Sequence, residues 1–335
     1  MLSKGKKAPG IGLEIGHDAI RMARVKHTGG KLKVLEYGTI PTPAGAADGG
    51  IVNDPVALGE SLAGLVKQLN LKGRKVVSAV SGPQVYIRNI ILPRMKLNEL
   101  KEAALFEATT FLPIPVDEAA IDIFPLRHME DEEGKKTELF FVAVRRQQVE
   151  NLRLACEVAG LQLVAVELDP LALYRIMGEP GEAQTLLHIG AARSYFCAVK
   201  NGALLFQRYF SSGTRALCNA LDPDAEPTGV LRQLDLEDGS GSDFLTPDLI
   251  SETSRSLEYF HMQFKEEKQG ELILCGSGAR IKGLDKILSS ALDMEVLVKD
   301  PLSRLILPSN VMVSDEEELK FDYLIALGLA AREVV

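Results

Sequence analysis

The sequence predicts an α/β protein of two or more domains, in which one meander is written twice with a small α/β module between the copies. Three observations carry this. Residues 11–25 read IGLEIGHDAIRMARV and residues 186–199 read LLHIGAARSYFCAV, so the chain twice writes a short apolar strand, a polar residue, Ile-Gly and a second strand. Between the copies, from Val85, strand and helix periodicities alternate as β-α-β-β-α-β. At 335 residues the chain is longer than one hydrophobic core usually serves, and its 46% apolar content can fill more than one.

In order, the first strand ends at Glu14, turns at Gly16, and continues as IRMARVKHT and KLKVLEYGTI, joined by the hairpin signal Gly29-Gly30. After the loose PTPAGAADGG, Pro55 opens a helix with Leu58, Leu62, Leu65 and Leu69 on one face, and VVSAVSG is a short buried strand. The module follows: strand VYIRNIILP, helix Asn98 to Leu112, strands AAIDIFPL and TELFFVAVR, helix RQQVENLRLACEVAG, strand LQLVAVEL. Its first helix carries Leu100, Ala104, Ala108 and Phe111 on one face, takes Asn98 as N-cap and stops against Pro113 and Pro115. RHMEDEEGKK is a solvated hairpin tip, and Gly160 is the C-cap of the second helix. Asp169-Pro170 starts a further helix, and GEPGEAQ is a linker.

The second meander then repeats the first, with Asn201-Gly202 as its hairpin turn. Residues 222–247 lack apolar periodicity and are expected to form a mobile loop or short irregular helices. A long helix from about Pro247 presents Leu257, Phe260 and Phe264; ELILCGSGARIKGLDKILSSAL reads strand, glycine turn, helix; FDYLIALGLAAR is a terminal helix.

Composition excludes several functions. A net charge of −8 without clustered Lys and Arg argues against nucleic acid. No uncharged apolar run approaches the roughly 20 residues that cross a bilayer, and MLSKGKKAPG has a basic start with no apolar core behind it, so a cytoplasmic protein is expected. Cys156, Cys197, Cys218 and Cys275 read as small buried hydrophobes, and the histidines show no zinc-ligand spacing.

The motifs that carry chemistry are the two glycine turns and Gly276-Ser277-Gly278. Facing turns can present backbone N–H groups to phosphates, carboxylates at the strand ends can position a hydrated Mg²⁺, and the third turn lets backbone approach an adenosine. Each alone is weak; the ordered set is more specific.

On these motifs the sequence resembles the actin-like ATPase superfamily, and within it the PilM-like type IV pilus assembly proteins related to FtsA. GLEIGHDAIRMARV is similar to the first phosphate motif, LLHIGAARSYFCAVKNGALLFQRYFSSGT to the second with its glycine turn, and LILCGSGARIKGLDKIL to the adenosine motif. VVSAVSGPQVYIRNIILPRMKLNELKEAALFEATTFLPIPVDEAAIDI resembles the family's passage into an inserted subdomain, FFVAVRRQQVENLRLACEVAGLQLVAVELDPLAL its exit, and GLAAR the family's chain end. The resemblance implies a two-lobed actin-like (ribonuclease H-like, duplicated) fold with an FtsA/SHS2-like insert. Its first lobe would comprise residues 1–83 and 167–184, with the C-terminal helix at about 320–335 returning to it. The insert would be 84–166, and the second lobe 185–319, including the variable region 222–247 and a helical part at about 247–268.

The nucleotide-binding positions this implies are Glu14, Gly16, His17, Asp18, Ala19 and Arg21 in the first turn, His188, Gly190, Ala191 and Gly213 in the second, and Gly276, Ser277, Gly278 and Arg280 in the third. Related sequences usually have Asp-Ile-Gly, small hydroxyl residues and then Lys at the first turn, where this chain holds Glu14, His17, Asp18, Ala19 and Arg21. They usually have Asp where it holds His188. An Ala-Glu-x-x-Lys helix, whose Glu and Lys usually face the nucleoside, falls on Thr228, Gly229 and Arg232, so the Glu is missing. Mg²⁺ prefers oxygen ligands in near-octahedral geometry, and an imidazole is the wrong partner. His188 is left with two readings, a hydrogen-bonded strand-end residue without a role or a substrate contact.

Function follows in the same terms. The expectation is a cytoplasmic scaffold, peripheral to the inner membrane, that docks the N-terminal tail of a PilN-like bitopic protein for a type IV pilus or a related type II secretion machine. Other inner-membrane components and self-association stand open. The cofactor is ATP with Mg²⁺ or none, with hydrolysis weak or absent. The alternative is an active ATPase or sugar-kinase-like phosphotransferase, which needs a carboxylate base and metal anchors between the lobes.

Overall fold

A computed structural model gives the fold and describes residues 10–132, 134–225, 227–238, 242–267, 270–308 and 312–332. The basic N-terminal stretch up to residue 9, Glu133 in the expected hairpin tip, residues 226 and 239–241 of the variable region and residues 333–335 of the terminal helix lie outside them.

The first meander is β1 (Gly10–Ile15), β2 (Ala19–Thr28) and β3 (Lys31–Pro41), and Gly29 and Gly30 turn it at φ 57° and 79°. A short hairpin, β4 (Ala47–Asp48) and β5 (Ile51–Val52), leads to α1 (Pro55–Gln68). This helix starts where it does because the Asp54 carboxylate accepts from the amides of Val56 and Ala57 at 3.1 and 3.0 Å and Pro55 presets the first φ. Its face of Leu58, Leu62 and Leu65 is fully buried. Next come β6 (Lys75–Val80), β7 (Val85–Pro93), α2 (Leu97–Phe111), β8 (Ala119–Asp131), β9 (Gly134–Arg145), α3 (Arg146–Val158) and β10 (Gln162–Leu168).

The expected six-element insert shrinks here. β10 pairs in parallel with β6 in the first lobe's sheet, and α3 packs so closely on α1 that a Cβ on Gly59 would stand 2.7 Å from the Ala155 carbonyl. The separate unit is the three-stranded sheet β7-β9-β8 with α2, so the boundary expected at 166 falls at the end of β9, Arg145. An amphipathic helix and an apolar strand look the same in sequence whichever sheet they join. Along β9, Leu139, Phe141 and Ala143 pack on Leu100, Ala104 and Ala108 of α2, while Phe140, Val142 and Val144 face the other way. The N-cap of α2 is Lys96, whose amide donates to the Glu99 carboxylate at 2.9 Å, rather than Asn98.

After α4 (Asp169–Met177), the second lobe opens with β11 (Gln184–Ile189), β12 (Ser194–Lys200) and β13 (Ala203–Phe210), turning at Asn201 and Gly202 with φ 50° and 81°. It continues with α5 (Thr214–Leu221), α6 (Pro227–Gln233), α7 (Ser242–Gln263), β14 (Leu272–Cys275), α8 (Leu284–Leu292) and β15 (Val296–Leu297). Thus 222–247 holds α6 and the start of α7, which begins before Pro247 and takes that proline inside. The chain returns to the first lobe at β16 (Leu305–Ile306), parallel to β3, earlier than the expected 320, and ends in α9 (Val313–Phe321) and α10 (Leu324–Ala330).

The sheets run β10-β6-β1-β2-β3-β16 and β13-β12-β11-β14-β15, so the same five-strand order builds both lobes. α10 lies directly on β1: a Cβ on Gly12 would stand 2.0 Å from the Ala326 carbonyl, and only glycine lets helix and sheet meet this closely. All four cysteines are buried, and none is in a disulfide. Among the described residues no helix is long and apolar enough to cross a membrane.

Candidate functional site: the interlobe cleft

The two Ile-Gly turns face each other across a cleft between the lobes. Each closes on itself: the Gly16 amide donates to the Ala19 carbonyl at 2.9 Å, and the Gly190 amide to the Arg193 carbonyl at 3.1 Å. Those amides, expected to face phosphates, are therefore already used. The meander register sets Glu14 opposite Arg21 and His188 opposite Tyr195. In the first lobe this yields a loose ion pair, Arg21 Nη1 to Glu14 Oε1 at 3.9 Å; in the second, His188 stacks on Tyr195 with ring centroids 4.8 Å apart.

Burial dominates the electrostatics. It pushes the Glu14 carboxyl up to about 7, helped by Asp322 and opposed by Arg21. It pushes Asp169, at the start of α4, up to about 7 as well, with Glu14 raising it further and the Ser81 hydroxyl lowering it. It pulls His188 down to about 4, with the Arg21 charge adding to the effect, so the imidazole is neutral at physiological pH. Ion pairs span the cleft: Arg215 to Asp18 at 3.1 Å, and Arg193 Nη2 to Asp48 at 2.7 Å, with His17 also on Asp48 at 3.1 Å.

Of the positions read from sequence, Glu14, Gly16, His17, Asp18, Ala19, Arg21, His188, Gly190, Ala191 and Ser277 line the cleft cavity. Gly213, Gly276, Gly278 and Arg280 do not. Gly213 is the N-cap of α5. Gly276, at φ 85°, passes under His188, where a Cβ would meet the imidazole at 2.9 Å, and a Cβ on Gly278 would meet the Ile189 side chain at 2.3 Å. Arg280 is buried in a bidentate pair with Asp322, at 3.2 and 2.6 Å, and reaches Glu317 at 3.1 Å; Arg232 takes the same Glu317 at 2.7 Å. Both arginines thus spend their charge on α9 and its C-terminal end.

Sequence reasoning missed Asp169, Arg193, Tyr195 and Asp322, which also line the cavity. Tyr195 was findable, since it stands to His188 as Arg21 stands to Glu14. Asp169 follows the carboxyl end of a parallel strand, a usual address for sites, but reads locally as a helix start.

The residues present do not fit Mg²⁺ with a triphosphate. Mg²⁺ prefers oxygen ligands, whereas His188 offers a ring nitrogen and the carboxylates of Asp322 and Asp18 are held by Arg280 and Arg215. Among the described residues no group of three or more His, Cys, Asp or Glu is placed to hold a metal ion. The cavity of about 120 Å³ is also small; ligand pockets usually run to roughly 300–1,000 Å³.

A second cavity, of about 640 Å³, lies between the insert and both lobes. It runs between β8 and β10, each an edge strand of its sheet. The turn from β12 to β13 closes one side, and α4 forms part of the wall. The lining is apolar, including Ile121, Ile123, Val142, Val166, Leu168 and Leu171, with Glu167, Arg175 and Arg332 among its polar members.

The duplicated sheets, the facing glycine turns and the insert define an actin-like, two-lobed protein. Comparison with known proteins agrees and narrows this. The profile of the family described as type IV pilus assembly protein PilM matches residues 12–334, and this chain belongs to that family. It is similar to a solved PilM-PilN type IV pilus biogenesis complex at 27% identity and TM-score 0.81, over 97% of this chain and 98% of that one. More distant likenesses bear on fold alone. The ethanolamine utilization protein EutJ from Carboxydothermus hydrogenoformans matches at 13% identity and TM-score 0.53, over 96% of this chain and 89% of that one. MreB5 of Spiroplasma citri, solved bound to ADP, matches at 10% identity and TM-score 0.50, over 97% and 95%.

Proposed function

We propose that this protein is a cytoplasmic scaffold of type IV pilus assembly that docks the N-terminal cytoplasmic tail of a PilN-like inner-membrane protein and thereby sits peripherally at that membrane. The carrying observation is the apolar groove between two unpaired strand edges. An extended apolar tail entering there can pair its backbone with β8 or β10 while alternate side chains fill the lining. Similarity to a PilM that was solved with PilN supports the identity of the occupant. The cleft supports docking without ATP turnover, because one expected acidic anchor is an imidazole stacked on Tyr195 and the other, Glu14, lies beside Arg21.

Calorimetric titration of the whole protein with a synthetic PilN-like N-terminal peptide tests this. Saturable binding is expected, abolished by Leu171→Arg in the groove and unchanged by Mg·ATP. Absence of binding, or binding indifferent to Leu171→Arg, would sink the groove assignment. Steady phosphate release from Mg·ATP would restore the enzyme reading.

A further inference from the structure

We propose that the end of the first lobe farthest from the cleft is a docking surface for anionic lipid headgroups. Residues 25–35 and 67–76 hold Lys26, Lys31, Lys33, Lys67, Lys72, Arg74 and Lys75 and no Asp or Glu, in a chain whose net charge is −8. The two stretches are distant in sequence, and the sheet unites them. β1 pairs with β2 so that Gly10 stands opposite Val25, and it runs parallel to β6 in a register that brings Lys75 to the same end. The β2–β3 hairpin projects past that end, with Lys26 directly opposite Lys33 and Lys31 opposite Thr28. The close of α1 and the loop into β6 bring the other four cations, and the Gly73 amide, donating to the Gly160 carbonyl at 2.7 Å, fixes that loop beside the end of α3. The turn that faces the cleft, between Ile15 and Ala19, lies at the opposite ends of β1 and β2.

Packing does not account for this gathering. Like charges directly opposite on paired strands cost stability, and Lys31, Lys33, Lys67, Lys72, Arg74 and Lys75 are all exposed. Among the described residues none of the seven makes an ion pair, whereas nearby Arg24 is taken by Glu36 and Arg153 by Glu157. Charge of one sign without partners in the molecule draws an oppositely charged surface outside it. That attraction is local, because fields fade within about 8 Å at physiological salt, so the net charge of the whole chain does not cancel it. Six of the seven are lysines, compact point charges suited to a diffuse anionic layer rather than to base readout. Neither stretch contains Phe, Tyr or Trp, so the stacking platform of a single-stranded nucleic-acid site is missing. The surface also adjoins the groove: His27 Nε2, on the hairpin, meets the Ala331 carbonyl at 3.2 Å, and the next residue, Arg332, lines the groove. The lipid contact is a second attachment beside the tail and does not depend on it.

The test is co-sedimentation of the whole protein with vesicles of phosphatidylcholine alone or with about 30% phosphatidylglycerol, the anionic fraction that supplies the attraction. Binding is expected only with phosphatidylglycerol, and it should be released near 1 M salt, where the screening length is about 3 Å. The triple variant Lys72→Gln, Arg74→Gln, Lys75→Gln should weaken it about 100-fold, and the double variant Lys31→Gln, Lys33→Gln about 30-fold. Both sets are exposed, and near-UV circular dichroism checks that each variant is folded. A control triple on the insert, Lys96→Gln, Lys101→Gln, Lys135→Gln, changes the net charge equally and should bind as the parent does. No binding to anionic vesicles overturns the proposal, as does equal binding to phosphatidylcholine. Retention of binding in both patch variants, equal loss in the control, or tighter binding of a DNA duplex would overturn it as well. The vesicles carry no protein, so failure here leaves the tail-docking reading standing, and failure of the peptide titration leaves this one.

Discussion

The two lobes share one strand order and one turn yet differ at the equivalent positions Gly12 and Leu186, Glu14 and His188, and Arg21 and Tyr195. Where the first lobe sets a carboxyl and a guanidinium, the second sets two stacked neutral rings. The difference separates what packing enforces from what the cleft leaves free to vary. Gly16 and Gly190 persist in both copies because a Cβ would meet the carbonyls of Ala19 and Arg193 at 2.6 and 2.7 Å, whatever the turns bind. The residues two places earlier, Glu14 and His188, both line the cleft and differ. Exchanging residues between the lobes tests this division.

The largest effect is expected from Gly12→Leu, which copies the second lobe's residue into the first. No rotamer relieves a Cβ placed 2.0 Å from the Ala326 carbonyl, because the obstacle is helix backbone. The loss should exceed about 4 kcal/mol, a value reserved for breaches of this kind, and be seen as loss of soluble, cooperatively melting protein. The reciprocal Leu186→Gly removes a fully buried side chain and should cost about 3–5 kcal/mol while leaving foldable protein. Equal tolerance of both exchanges would show that packing does not distinguish the lobes.

Next is His188→Glu, which restores an acid to the second turn. It adds a carboxyl to a cavity already lined by Glu14, Asp169 and Asp322, and should destabilise by about 3 kcal/mol at pH 8. The penalty should shrink at pH 5, where the new group can take a proton, as read by urea denaturation at both values. Rescue by millimolar Mg²⁺ would show that the frame still holds a metal once given the acid, and would turn the comparison into one of recent loss.

Much of this architecture was legible in the sequence, for local reasons. Meander turns at Gly29-Gly30 and Asn201-Gly202 and the Asp54-Pro55 helix start need only neighbouring residues, and all three occur. What was misread depends on partners distant in the chain. β10 belongs to the first lobe because of β6, more than eighty residues earlier, and Arg280 is a structural ion pair because Asp322 faces it from the end of α9. Nothing around Arg280 announces that partner, whereas the twofold repeat itself, carried from Arg21 to Tyr195, would have added one true cleft residue.

A smaller effect, opposite in sign, is expected from Glu14→Gln. A carboxyl raised from 4.5 to about 7 on folding binds a proton in the folded chain that the unfolded chain has already lost. Stability therefore falls as pH climbs from 4.5 through 7 and stays reduced above. Removing the group should stabilise by about 2 kcal/mol at pH 8, less than the full shift because a buried carboxyl that also raises Asp169 titrates together with it, and by nothing at pH 4. A melting temperature that rises equally at both pH values would place the gain in packing and leave Glu14 without its electrostatic contrast to His188.

The smallest effect concerns the pairs that tie the turns to opposite lobes, Asp18 with Arg215 and Asp48 with Arg193. Asp48 and Arg215 are 45% and 43% exposed, so solvent screens both pairs and each should contribute no more than about 1 kcal/mol. Asp18→Asn and Asp48→Asn should lower the melting temperature slightly at low salt and not at all near 1 M, where the screening length is about 3 Å. The two lobes would then be held in register by the buried Arg280–Asp322 pair rather than by the turns. A loss that persists at high salt would instead make the turn pairs the hinge lock of the molecule, and the exposed rim rather than the buried junction would set how the lobes face each other.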